Sequence, residues 1–165
     1  LELGHRRIAH ITGPSGWLAT EARRRGYRGA VAAAGILPDP ALEVESEPEI
    51  GPGRAAAEHL LDLPEPPTAI FAFNDNIAIG AIQAARSRGV RVPEELSVVG
   101  FDDVEHATII SPALTTVRQP LAEMGRTAVS LLTRLLDRQR FETLHVELAT
   151  RLVVRDSTAP PSRRR

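Results

Sequence analysis

Three short stretches of the chain hold polar side chains of the kind that grip a neutral, hydroxyl-bearing molecule. The first carries Trp17 and, six residues on, Arg23. The second carries Asn74 and Asp75, after the run TAIFAF. The third carries Asp102 and Asp103, after LSVVGF. Carboxylates accept from hydroxyls, an amide both donates and accepts, and a guanidinium offers donors in a fixed fork. An indole adds a flat apolar face with a polar edge. Each residue also has a plainer role open to it. Asn74 or Asp75 can cap the helix that follows, Asp102 can serve a turn, and Trp17 can be core. Three such positions on one predicted edge favour a ligand site.

Other chemistries fare worse. Ser15 lies in GPSG, which is not a nucleophile elbow. That turn also lacks the lysine and spacing of a phosphate loop. His106 sits near Asp102 and Asp103 with no nucleophile placed beside it. His5, His10, His59, His106 and His145 are scattered, so no metal and no cofactor is expected. The run 23–25 is basic, but on a helix it fans around the surface and reads as a solvated face. There is no cysteine, hence neither disulfide nor thiolate metal site.

The elements that must position these residues follow from hydrophobic periodicity. Residues 7–12, 68–73, 96–101 and 115–118 read as strands, and 42–46 as a weak one. Residues 17–34, 53–63, 75–88 and 121–137 read as helices, several stopped by Gly or Pro. Residues 47–53 read as a loop, and 144–154 as extended. Strands alternating with helices predict an α/β fold: a doubly wound, mostly parallel sheet with helices on both faces. Right-handed crossovers put the strand C-termini on one edge, where ligands bind in such sheets. In the helix 75–88 the core stripe is Ala78, Ala81, Ile82 and Ala85. Ile79 falls instead with Asn76, Gln83 and Arg86, an incidental apolar residue on a polar face or a subunit contact; the contact is favoured. The helix 121–137 carries Leu121, Met124, Ala128, Leu131, Leu132 and Leu135 on one face. The tail 157–165 is Pro-rich and polar and is expected to be disordered.

Length and charge bound the rest. A chain of 165 residues buries roughly 70% of its unfolded surface, enough for one core. The 20 basic residues, all Arg, meet 21 acidic ones, a net charge of −1. A chain that binds nucleic acid by itself usually has a basic surplus. No long apolar run suggests a membrane span, and no signal segment opens the chain. A cytoplasmic chain whose natural start lies upstream of Leu1 is expected.

Four stretches carry a family likeness: LELGHRRIAHITGP, PTAIFAFNDNIAIGA, VPEELSVVGFDD and SPALTTVRQPLAEMGRTAVSLL. In order and spacing they resemble the LacI/GalR transcription regulators over residues 1 to about 155. GFDD and LTTVRQP are the more specific; ND-x-x-A-x-G is shared with sugar-binding transport proteins. The resemblance implies a periplasmic-binding-protein-like lobe, an upstream helix-turn-helix and hinge helix, and a second lobe. The lobes would close on a small-molecule effector, a carbohydrate being favoured, and so change operator affinity. Residue by residue it implies effector contacts at Arg23, Asn74, Asp102 and Gln119. Trp17, where members vary, would stack on a pyranose ring. It places Ile79 and Ile110 at a homodimer interface.

It further implies that residues 1–118 and the last strand, 150–156, are the C-terminal lobe, and that 119–149 belong to the N-terminal lobe. The helix 121–137 would then pack on its own lobe, exchange with another chain or be poorly ordered. The loop 47–53 lacks an aromatic that some members place near the effector. Operator DNA would be reached only through the upstream domain. The expected function is an effector-binding, dimer-forming repressor module without enzymatic activity. A sugar-binding protein of a transport system is the alternative, and an enzyme on a doubly wound sheet ranks last.

Overall fold

The computed structural model describes residues 1–137 and 145–162. Six strands form one sheet in the order β2-β1-β3-β4-β5-β6. They are β1 (Ile8–Thr12), β2 (Glu43–Glu45), β3 (Ala69–Ala72), β4 (Ser97–Asp102), β5 (Thr115–Arg118) and β6 (Arg151–Val153). The first five are mutually parallel; β6 runs antiparallel to β5. The connecting helices are α1 (Leu18–Ala33), α2 (Ile50–Leu61), α3 (Asp75–Ser87), the single turn α4 (His106–Ile109) and α5 (Leu121–Leu136). This is the expected doubly wound α/β sheet. A 3-10 turn at Pro40–Leu42 and α4 are additions to that expectation.

Strand alternation sorts the residues of β1 between two unlike faces. Ala9 and Ile11 join the main core with Leu60, Ile70, Ala72, Ile77, Ala81, Val98 and Leu114. His10 and Thr12 face α1 instead. There His10 lies on Phe71, its partner in the register, with ring centroids 4.8 Å apart, and near Tyr27 at 5.1 Å. Burial drives the His10 imidazole down to about 4, against a hydrogen bond with the Phe71 carbonyl.

On the core face α2 and α3 pack tightly because glycines meet at their crossing. A Cβ on Gly53 would stand 2.6 Å from Ile77 Cα, and one on Gly80 2.6 Å from the Arg54 nitrogen. Ile79, expected at a subunit contact, is already covered within this chain. The residue keeps only 6% of its surface, so the chain itself covers it, while Asn76, Gln83 and Arg86 on the same stripe stay exposed. The core stripe of Ala78, Ala81, Ile82 and Ala85 is fully buried as expected. Helix α2 also starts three residues early, inside the expected loop. Pro52 falls in its first turn, where no backbone N–H is needed for the helix ladder.

Two further expectations change. Residues 157–162 of the tail are fixed, not disordered. Ser157 is fully buried; its hydroxyl donates to the Val98 carbonyl (2.6 Å) and accepts from the Thr115 amide (2.8 Å). His5 Nε2 and the Ser97 hydroxyl both donate to the Ala159 carbonyl, at 2.8 and 2.9 Å. The tail thus supplies polar partners where β4 and β5 begin to separate, which composition does not reveal. Helix α5 forms, but none of its residues is buried. Packing on its own lobe is therefore excluded among the three expected fates. Of the extended stretch 144–154, residue 144 lies outside the described residues and 151–153 form β6.

Candidate functional site

The strand order reverses direction on either side of β1: β2 pairs on one side, β3 on the other. Crossovers leave that point in opposite senses, opening a crevice at the strand C-termini. The candidate residues stand around it. Trp17 precedes α1 and is half exposed, which removes the core reading for it. Its ring meets Phe73 edge-on, centroids 6.2 Å apart. Phe73 lies across the end of β1 because residue 13 is glycine: a Cβ there would stand 2.9 Å from the ring.

Arg23, one turn into α1, is held between two aromatic faces. Its guanidinium carbon is 4.2 Å from the Phe73 centroid and 3.8 Å from that of Phe101. Each desolvated cation–ring contact is worth on the order of 1–2 kcal/mol. Burial pulls the guanidinium below its ordinary value, opposed by Asp102; it remains a cation. Its Nη2 lies 3.7 Å from Asp102 Oδ1, and Gln119 Nε2 donates to that same oxygen at 2.6 Å. Burial raises the Asp102 carboxyl above the usual carboxylate range, opposed by Gln119 and Arg23. Trp17, Arg23, Asp102 and Gln119 are thus joined through Phe73 and Phe101 into one surface at the strand ends. Asp102 and Gln119 also border an open concavity of about 450 Å³ with Arg118, Pro120 and Arg126.

Asn74 stands next to this group with its amide engaged. Its Oδ1 accepts from the Ile77 amide at 2.9 Å and caps α3. Its Nδ2 donates to the Pro48 carbonyl at 3.0 Å. The capping role weighed for it is therefore real. Asp75 is buried and raised by desolvation. It accepts from the Thr116 hydroxyl (2.5 Å) and the Val104 amide (2.9 Å), tying α3 to β5 and to the loop after β4. Ile79 and Ile110 lie away from the crevice, Ile110 half-buried against the core.

Sequence reasoning missed Phe73 and Phe101, the two rings that hold Arg23. A large aromatic ending each of two adjacent buried strands was the available signal. It also missed the division of the run 23–25. Arg23 is clamped, Arg24 pairs with Glu21 and Glu43, and of the three only Arg25 is exposed. The Ser15 amide and hydroxyl both donate to the Glu45 carboxylate, and His106 is exposed on α4. No group of three metal-ligating side chains occurs among the described residues. None of the described helices is long and apolar enough to cross a membrane.

A family model described as "Periplasmic binding protein-like domain" matches residues 1–158. The HTH-type transcriptional repressor CytR of Escherichia coli K12 is 38% identical over 157 residues, covering 95% of this chain and 46% of that protein. The HTH-type transcriptional regulator DegA of Bacillus subtilis 168 is 42% identical over 160 residues, covering 97% and 47%. The solved complex of the transcriptional regulator CelR with cellobiose superposes with a TM-score of 0.90 at 39% identity, covering 94% of this chain and 48% of that one. The chain spans about half the length of the curated relatives it matches. It belongs to the periplasmic binding protein-like domain family and corresponds to the effector-binding part of LacI-family repressors.

Proposed function

We propose that this chain supplies one wall of an effector site, and that the effector is a carbohydrate or a similar polyhydroxylated molecule. The observation that carries the reading is the joined surface of Trp17, Arg23, Asp102 and Gln119 at the switch point of the sheet. An exposed indole suits the apolar face of a sugar ring. A buried cation beside a carboxylate and an amide suits its hydroxyls. The cellobiose held by the CelR relative supports the same class of ligand. Residues 1–118 and 150–156 form one lobe in this reading, and 119–149 belong to a second lobe that covers the apolar face of α5.

In the complete protein the ligand binds the closed arrangement of the lobes better than the open one. That difference in affinity shifts a DNA-binding arrangement elsewhere in the molecule. DNA is read by a helix-turn-helix outside this chain, in the cytoplasm, by a homodimer. Ile110 contributes to the dimer contact, beside a groove lined by Ile82, Arg86, Ser111 and Pro112. The chain performs binding and no catalysis.

The titration is run on the complete two-lobed protein; Trp17 is the only tryptophan of this chain, and with any tryptophan elsewhere replaced its emission reports directly on the site. Titration with cellobiose, ribose, a ribonucleoside and a purine base should change that emission for at least one of them. The change should disappear in Asp102→Ala. Silence of Trp17 and of the residue 23 and 102 amide resonances toward the whole panel at about 10 mM, the weak end of specific binding, would sink the reading.

A further inference from the structure

The loop that carries Asp102 has an unusual backbone. Asp102 has φ +113° and Asp103 φ +61°. An isolated aspartate tolerates the left-handed region, but two consecutive non-glycine residues there cost on the order of 1–3 kcal/mol each and persist only when their surroundings over-determine them. Those surroundings are specific. The Asp103 side chain is 3% exposed and accepts from two arginines. Arg118 Nε reaches one of its oxygens, and Arg155 Nη2 reaches the other at 2.6 Å. Arg155 is itself fixed: its Nη1 donates to the Leu114 carbonyl at 2.7 Å and its backbone N–H to the Thr115 hydroxyl at 2.9 Å. From below, Asp75 receives the Val104 amide.

The two arginines come from the strand pair that leads to α5 and back. Arg118 ends β5, and Arg155 follows β6 by two residues. Neighbouring residues are gripped by neighbouring residues: Arg118 holds Asp103, and Gln119 holds Asp102. A displacement of β5 and β6 therefore moves both anchors of the turn together. Charge-assisted bonds with the forked geometry of arginine are strong enough to impose such a setting.

We propose that Asp103, Arg118 and Arg155 are positioning residues that hold the Asp102 carboxylate in its ligand-competent orientation and couple it to the β5–β6 strand pair. The ligand half of this statement rests on the effector-site reading above; the positioning half stands on the ion triad and the turn. The test uses Arg155→Gln and Asp103→Asn, with Arg118→Gln, the more exposed partner, should either fail to fold. Arg88→Gln breaks the comparable surface pairs with Glu58 and Asp62 and serves as control.

The first readout needs no ligand: the Gln119 side-chain NH₂ resonances, displaced by the short bond to Asp102. In the triad variants they move to the position of a solvated amide, along with the residue 102 and 103 backbone amides. In Arg88→Gln they stay. The second readout is the Trp17 titration with cellobiose, whose affinity falls about tenfold in the triad variants, the worth of one displaced charged hydrogen bond. Unchanged Gln119 resonances in folded triad variants overturn the proposal whether or not sugar binds. If wild-type protein ignores cellobiose while Gln119 responds as stated, the ligand class falls and the positioning role stands.

Discussion

His10 is the residue whose chemistry and burial are most at odds. Its imidazole is fully buried between β1, Phe71 and Tyr27 and is held down to about 4, against 6.5 when free. The unfolded chain therefore binds a proton near pH 6.5 that the folded chain refuses until about pH 4. Stability from this group is whole above pH 6.5 and falls as the pH drops toward 4. The full difference is about 3 kcal/mol at roughly 1.4 kcal/mol per unit. His5, also lowered mainly by burial, adds a contribution of the same sign. Urea midpoints should fall between pH 6.5 and 5, against the opposite contribution of the Asp75 and Asp102 carboxyls, which burial raises. The slope should be shallower in His10→Phe, which keeps the ring stack and removes the proton. An equal slope in both would contradict this assignment. Gly13 offers a second test at this scale. A methyl group there meets the Phe73 ring, so Gly13→Ala should cost about 1–3 kcal/mol and alter Trp17 emission through the displaced ring.

Among the elements, α5 and the C-terminal tail reverse the roles that composition suggests. Helix α5 has the strongest apolar stripe in the chain, yet Leu132 is 58% and Leu135 47% exposed. In this chain by itself, Leu132→Ser with Leu135→Ser should change the unfolding free energy by less than about 1 kcal/mol, the size of two ordinary surface changes. The tail reads as polar and Pro-rich, yet Ser157 joins β4 to β5 from a fully buried position. Ser157→Ala leaves the Thr115 amide without that acceptor and the Val98 carbonyl without that donor. It should cost about 2–6 kcal/mol, since each of the two buried unsatisfied groups costs about 1–3. A larger effect from the α5 pair than from Ser157 would invert this ranking. The early start of α2 belongs to the same scale: Pro52 lies in the expected loop, but in a first turn a proline breaks nothing.

For the whole molecule, the chain matches about half of each regulator it resembles. That share includes the switch point of the sheet and the joined residues Trp17, Arg23, Asp102 and Gln119 beside it. Dimer formation is a whole-molecule property and is tested as one. Sedimentation equilibrium should give twice the chain mass for the complete protein, and Ile110→Arg should move it toward the monomer. A mass unaffected by that change would remove Ile110 from the interface. Ile79 is a poor probe, because at 6% exposure an Arg there would disturb the chain's own packing before it disturbed any partner.

Periodicity and punctuation by themselves determined the element order, the mostly parallel sheet and the edge that carries the strand C-termini. Period-2 and period-3.6 burial are local properties, written residue by residue. The same logic placed Trp17, Arg23 and Asp102 on one edge, and the likeness to known regulators added Gln119. Only the tertiary structure decided which partners those residues take. Arg23 between Phe73 and Phe101, Asp103 between Arg118 and Arg155, and Ser157 between β4 and β5 are contacts across 50 to 78, 15 to 52 and 42 to 59 residues. Such pairings depend on how elements meet and leave no periodic trace. The fate of Ile79 shows the same limit. A helical stripe says which residues share a face, and tertiary packing decides that Ile79 is covered while Asn76 and Gln83 are not.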